Sequence, residues 1–156
     1  MTTVVITLLF AALVVVCGVD VAHRRIPDRI TTPMTAGALT AVIGAGWWTG
    51  RAATAAGGLA GALLFWALLG LVHVVAPAGL GRGDVKLAPS LGAAVGWQAA
   101  GPVEAAGAVL TTLVVAAVVG VAIGLVLLAK RRRNEPYPFG PALAVATVLT
   151  LLSSPA

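Results

Sequence analysis

Two carboxylates in this chain stand where an apolar sequence seldom places one. Asp84 closes the string Gly81-Arg82-Gly83-Asp84 and is followed by Val85-Lys86-Leu87. Asp20 ends the first apolar run, just before His23-Arg24-Arg25-Ile26-Pro27-Asp28. An ionisable side chain near hydrocarbon is costly and marks a functional site by default. Two carboxylates held close together cannot both ionise easily, so they share one proton. One then activates water as a base, and the other protonates or hydrogen-bonds a substrate carbonyl. That is the chemistry of aspartic peptide hydrolysis, and it requires neither a metal nor a cofactor. The same side chains suit proton relay in a membrane carrier. On residue types alone, a small proton-coupled transporter stands level with a protease.

The remaining acids have plainer readings. Asp28 follows Pro27 and is placed to cap the next element. Glu104 and Glu135 read as surface charges. His23 and His73 lack the spacing of a His-x-x-x-His zinc pair, so both read as ordinary interfacial histidines. The single cysteine, Cys17, excludes an internal disulfide and any all-cysteine zinc site. Gly81 and Gly83 allow positive φ and leave room for a substrate backbone beside the Asp84 carboxylate.

The elements that must position these residues follow from composition. The chain has 156 residues, 60% hydrophobic and 10% charged, with a mean hydropathy of +1.04. A soluble domain carries about 25% charged residues, so this composition describes an all-α, polytopic membrane protein. Residues 1–156 form one membrane-embedded domain, and any chemistry is built from helices and short loops. A spanning helix needs roughly 20 mostly apolar residues. Six spans are predicted, over residues 3–22, 33–48, 54–76, 85–100, 103–129 and 139–153. The second, fourth and sixth are short by that measure. Pro89 kinks the fourth or marks its true start.

Basic residues give the orientation. Nine of the ten lie in or at the edge of the first, third and fifth loops, and Arg51 alone lies in the second. Basic loops remain cytoplasmic, so both termini are expected outside, with Asp20 and Asp84 on the cytoplasmic side. The net charge of +5 belongs to these flanks, not to a nucleic-acid surface. The first apolar run lacks the preceding basic residues of a cleaved signal peptide and reads as a retained helix. Trp47, Trp48 and Trp97 fall at predicted outer helix ends, and Tyr137 and Phe139 at an inner one, as interfacial rings do. Trp66 falls mid-span and is expected to pack on a neighbour. Gly57 and Gly61, Gly92 and Gly96, and Gly120 and Gly124 are small pairs at i, i+4 spacing that let helix backbones approach. Packing within the chain is the favoured use, with oligomeric state left open.

Three motifs in order carry a resemblance. Asp20-Val-Ala-His-Arg-Arg-Ile-Pro27-Asp28 comes first, and Gly81-Arg-Gly-Asp84-Val-Lys86-Leu87 second, continuing to Leu91-Gly92. Pro136-Tyr-Pro-Phe-Gly-Pro141 opens the last span. The combination resembles the type IV prepilin peptidases, aspartic membrane proteases with a Gly-x-Gly-Asp motif. The resemblance implies an endopeptidase of the inner (cytoplasmic) membrane that removes the basic leader from prepilins or pilin-like secretion subunits. It implies Asp20 and Asp84 as the catalytic pair, Gly81 and Gly83 as the motif glycines, Lys86 as the basic residue of the extended motif, and Pro27 as the proline after the first aspartate. It further implies a glutamate soon after the cleavage site, with which Lys86 or Arg25 can pair. Many family members also methylate the new N-terminus and carry an insert with paired cysteines. This chain has Cys17 alone, so peptidase activity without methyltransferase activity is expected. The partners implied are the prepilin substrate and the lipid bilayer.

Overall fold

The structure is a computed structural model and describes residues 28–76, 80–129 and 140–153. The predicted first span, with Cys17 and Asp20, lies outside the described residues. So do His23, Arg25, Pro27, the basic run 130–133, Tyr137 and Phe139. Among the described residues the fold is all-helical. Helix α1 spans Asp28–Thr49, α2 Ala52–Val75, α3 Arg82–Trp97, α4 Pro102–Ala129 and α5 Gly140–Ser153.

Local sequence explains the joints between these helices. Gly50 has φ of 66°, the left-handed conformation that glycine adopts at no steric cost. The Gly50 N–H reaches the Trp47 carbonyl at 3.4 Å, and the Arg51 N–H reaches the Gly46 carbonyl at 3.0 Å. This paired closure is a Schellman motif, and it turns the chain from α1 into α2. Helix α4 opens on Pro102, whose missing N–H costs nothing at a first helical position. Glu104, exposed as expected, reaches back to accept the Ala100 N–H at 2.8 Å. The acid is therefore a cap for α4 as well as a surface charge.

Helix α3 is central: it packs against each of the other four described helices. Its buried residues run almost without a break from Leu87 to Gly96. Its closest partner is α2, and glycines make the approach. A methyl group on Gly57 would stand 2.7 Å from the Gly96 carbonyl oxygen. One on Gly61 would collide with the Gly92 carbonyl, and one on Gly92 with the Gly61 carbonyl. Two of the predicted small pairs thus face each other within the chain. Gly124 of the third pair does not join them: a methyl group there would meet nothing within 4 Å. Phe65, Leu69, Leu80, Ala88, Leu91, Val109 and Leu143 form the main core, with Val42, Ala62 and Ala93 in a smaller cluster.

Apolar side chains also cover the outside. Val103, Leu110, Val114, Val118, Val121 and Leu125 are exposed along α4, as are Leu63, Leu71 and Val74 on α2. Trp66 joins them at 53% exposure, against the expectation of a packed ring. A lipid-facing surface solvates such a ring without a protein neighbour. Helices Ala52–Val75 and Pro102–Val126 are each long and apolar enough to cross a membrane. The other described helices do not meet that test, so the described helices do not by themselves yield the six predicted spans. Helix α3 has 16 residues and α5 has 14, about 24 and 21 Å at 1.5 Å per residue.

Candidate active site

Asp84 lies in the first turn of α3 and is buried, with 5% of its surface exposed. The helix begins at Arg82, three residues before the predicted span, so the acid sits inside the first turn instead of in a loop. Gly81 is the N-cap, and its carbonyl accepts the Asp84 N–H at 3.1 Å. An acid in a first turn complements the positive end of the helix and stabilises it.

The glycine rationale changes in one respect. Gly81 has φ of −67° and ψ of 144°, an extended conformation open to any residue. Its value is space. A methyl group there would stand 3.4 Å from Asp84 Oδ2, flanking the carboxylate directly. Gly83 is half-buried within the helix.

Neighbouring elements hold this turn from both sides. His73, in the last turn of α2, places Nδ1 2.8 Å from the Leu80 carbonyl oxygen. A carbonyl only accepts, so Nδ1 carries the hydrogen. The bond ties the end of α2 to the residue just before Gly81. On the other side, the Thr35 hydroxyl of α1 donates to the Lys86 carbonyl at 3.2 Å. That carbonyl lies beside the one that Pro89 deprives of its helical partner, Val85, because proline has no N–H. Pro89 lies well inside α3 and does not mark its start. Ser90 is fully buried and closes its hydroxyl onto the Leu87 carbonyl at 2.8 Å.

Lys86 is exposed, as is Arg82. Two residues along a helix is about 200° of rotation, so Lys86 leaves α3 on the side away from Asp84. Asp20, Pro27 and Arg25 lie outside the described residues, and Asp28 is the first residue of α1.

Three polar residues around this turn escaped the sequence reading as site residues: His73, Thr35 and Thr31. His73 read as an interfacial histidine, and threonines give no spacing pattern. Thr31 is 1% exposed, and its hydroxyl has no hydrogen-bond partner among the described residues. Leaving a buried hydroxyl unmatched costs about 1–3 kcal/mol.

The chain is similar to known proteins over most of its length. The model of the type IV leader peptidase family matches residues 7–128. A prepilin leader peptidase/N-methyltransferase of Burkholderia pseudomallei (strain 1026b) is 36% identical over 148 residues, covering 92% of this chain and 44% of the relative. One of the same name from Aeromonas salmonicida (strain A449) is 34% identical over 151 residues, covering 96% of this chain and 49% of the relative. Another, from Dichelobacter nodosus, is 33% identical over 144 residues, covering 90% and 45%. The chain therefore spans less than half the length of these curated relatives. No solved structure gives a significant match.

Proposed function

Since the chain belongs to the type IV leader peptidase family, we propose that it is a membrane aspartic endopeptidase that removes the basic leader from prepilins or pilin-like secretion subunits. The observation that carries this reading is a buried Asp84 in the first turn of the central helix, within the Gly-x-Gly-Asp string. Asp20 is its catalytic partner, and the pair works at the cytoplasmic face of a six-span bundle. The proposal concerns the peptidase activity alone. The carrier reading draws no support from the relatives, whose printed names describe peptidases.

The chemistry uses only protein groups and water. The ionised aspartate takes a proton from a water molecule, whose oxygen attacks the scissile carbonyl carbon. The protonated aspartate hydrogen-bonds the carbonyl oxygen and gives it a proton as the tetrahedral intermediate forms. Collapse breaks the C–N bond, and a proton passes to the leaving amine. Lys86, exposed near the same helix start, and Arg25 are placed by this reading to pair with an acidic residue after the cleavage site.

Asparagine matches aspartate in shape but cannot act as base or acid. Asp20→Asn and Asp84→Asn are each expected to abolish cleavage of a pilin-like substrate in detergent while the protein stays folded by circular dichroism. Cleavage retained in either variant would remove that residue from the catalytic pair.

A further inference from the structure

Thr31 differs from every other buried hydroxyl described. Thr112, Thr147 and Ser90 are fully enclosed and Thr150 is 7% exposed, and each donates to a carbonyl within its own helix. Thr31 is 1% exposed, and its Oγ1 has no partner among the described residues. Buried polar groups are almost always matched, so an unmatched one calls for an explanation.

Its position in the fold supplies one. Thr35 of α1 meets Lys86 of α3 through a hydrogen bond. Seven residues on, Val42 and Ala93 share one small cluster and both approach Gly58. The two pairs have the same sequence separation, so α1 and α3 run parallel here in constant register. Thr31 lies one turn before Thr35 on the same face. The register sets it level with Arg82, in the turn that carries Gly83 and Asp84.

We propose that the Thr31 hydroxyl is a substrate-binding group that hydrogen-bonds the backbone of the extended peptide cleaved beside Asp84, an inference that rests on the peptidase reading above. The chemistry of the substrate fits. A peptide bond inside a helix is shielded, so it must be drawn into extended backbone before water can reach its carbonyl. Its neighbours' N–H and C=O groups then lose their helical partners, and at the membrane edge such groups need partners from the protein. A hydroxyl offers both a donor and an acceptor. Held unmatched in the free enzyme, it gains its partner only when substrate arrives.

The test separates activity from stability. The full chain would be assayed on a pilin-like protein with a basic leader, beside wild type and Asp84→Asn. Thr31→Val keeps the branched shape and removes the hydroxyl. It is expected to lower kcat/KM about three- to tenfold, the worth of one neutral hydrogen bond, with a melting temperature equal to or above that of wild type. Thr31→Ser is expected to keep most of the activity. Cleavage by Thr31→Val at the wild-type kcat/KM would overturn the inference and leave the peptidase reading intact. A lowered melting temperature for Thr31→Val would also overturn it, by making the hydroxyl a structural group. Wild type that cleaves no better than Asp84→Asn would overturn the peptidase reading and this inference with it.

Discussion

His73 and Asp84 lie eleven residues apart in sequence, and hydrogen bonds to two adjacent carbonyls, Leu80 and Gly81, connect them in the fold. The Leu80 carbonyl that His73 holds is attached to a residue only 4% exposed, and the next carbonyl along receives the Asp84 N–H. His73→Leu would leave the Leu80 carbonyl buried without its donor, at about 1–3 kcal/mol. The expected result is a lower melting temperature and a reduced kcat with KM little changed, because the Asp84 turn loosens while the rest of the chain remains. His73→Asn, whose side-chain amide can still donate, should recover part of both. An unchanged kcat in His73→Leu would show that the turn is held without this bond. The histidine was invisible as a site residue because its role depends on a backbone carbonyl, and no side-chain pattern encodes that. Asp84 was legible for the opposite reason: a charge in an apolar chain needs an explanation whatever the fold. Thr31 required both its burial and the register of two helices before it meant anything.

At the scale of the elements, the α2–α3 contact fixes where Asp84 sits, and backbone meets backbone there. A side chain on Gly92 would meet the Gly61 carbonyl carbon at 2.7 Å and Phe65 Cβ at 2.8 Å. Neither can swing aside as the end of a flexible side chain would. Overpacking of this kind costs about 1–3 kcal/mol and sometimes more. Gly92→Val is therefore expected to lower the melting temperature in detergent and reduce cleavage together, whereas Gly124→Val, facing open space, should change neither. Equal behaviour of the two variants would show that the contact does not govern the site. The i, i+4 spacing announced these faces, though only the fold revealed which pairs meet. Helix ends were less legible. The second span was predicted from 33, but α1 starts at Asp28 with Pro33 inside it. The fourth was predicted as 85–100 and is Arg82–Trp97, the same length moved three residues earlier. Pro33 and Pro89 both lie inside their helices. Gly83 falls in the first turn of α3, where few N–H groups have intrahelical partners, whereas Pro33 is the sixth residue of α1 and leaves the Arg29 carbonyl without its helical N–H.

Across the whole molecule, the parallel register of α1 and α3 gathers unlike residues at opposite ends. Trp47 and Trp48 end α1, and Trp97 ends α3, so these rings share one end of the bundle. Arg82, Asp84 and Lys86 open α3 at the other end, where His73 also reaches the Leu80 carbonyl. On the positive-inside rule, that second end is expected in the cytoplasm. The arrangement predicts opposite labelling of two exposed arginines, Arg51 in the α1–α2 joint and Arg82 at the start of α3. In a Cys17→Ser background, Arg51→Cys should react with a membrane-impermeant maleimide added to intact cells. Arg82→Cys should react only after the membrane is opened. Both positions labelling from the same side would rule out the alternation, and a reversed pattern would place the Asp84 end outside the cytoplasm. Under the proposed function, the bond to be cut lies on the cytoplasmic side of the membrane. The labelling experiment thus asks whether the Asp84 end of the bundle faces the compartment that holds the bond it is proposed to cut.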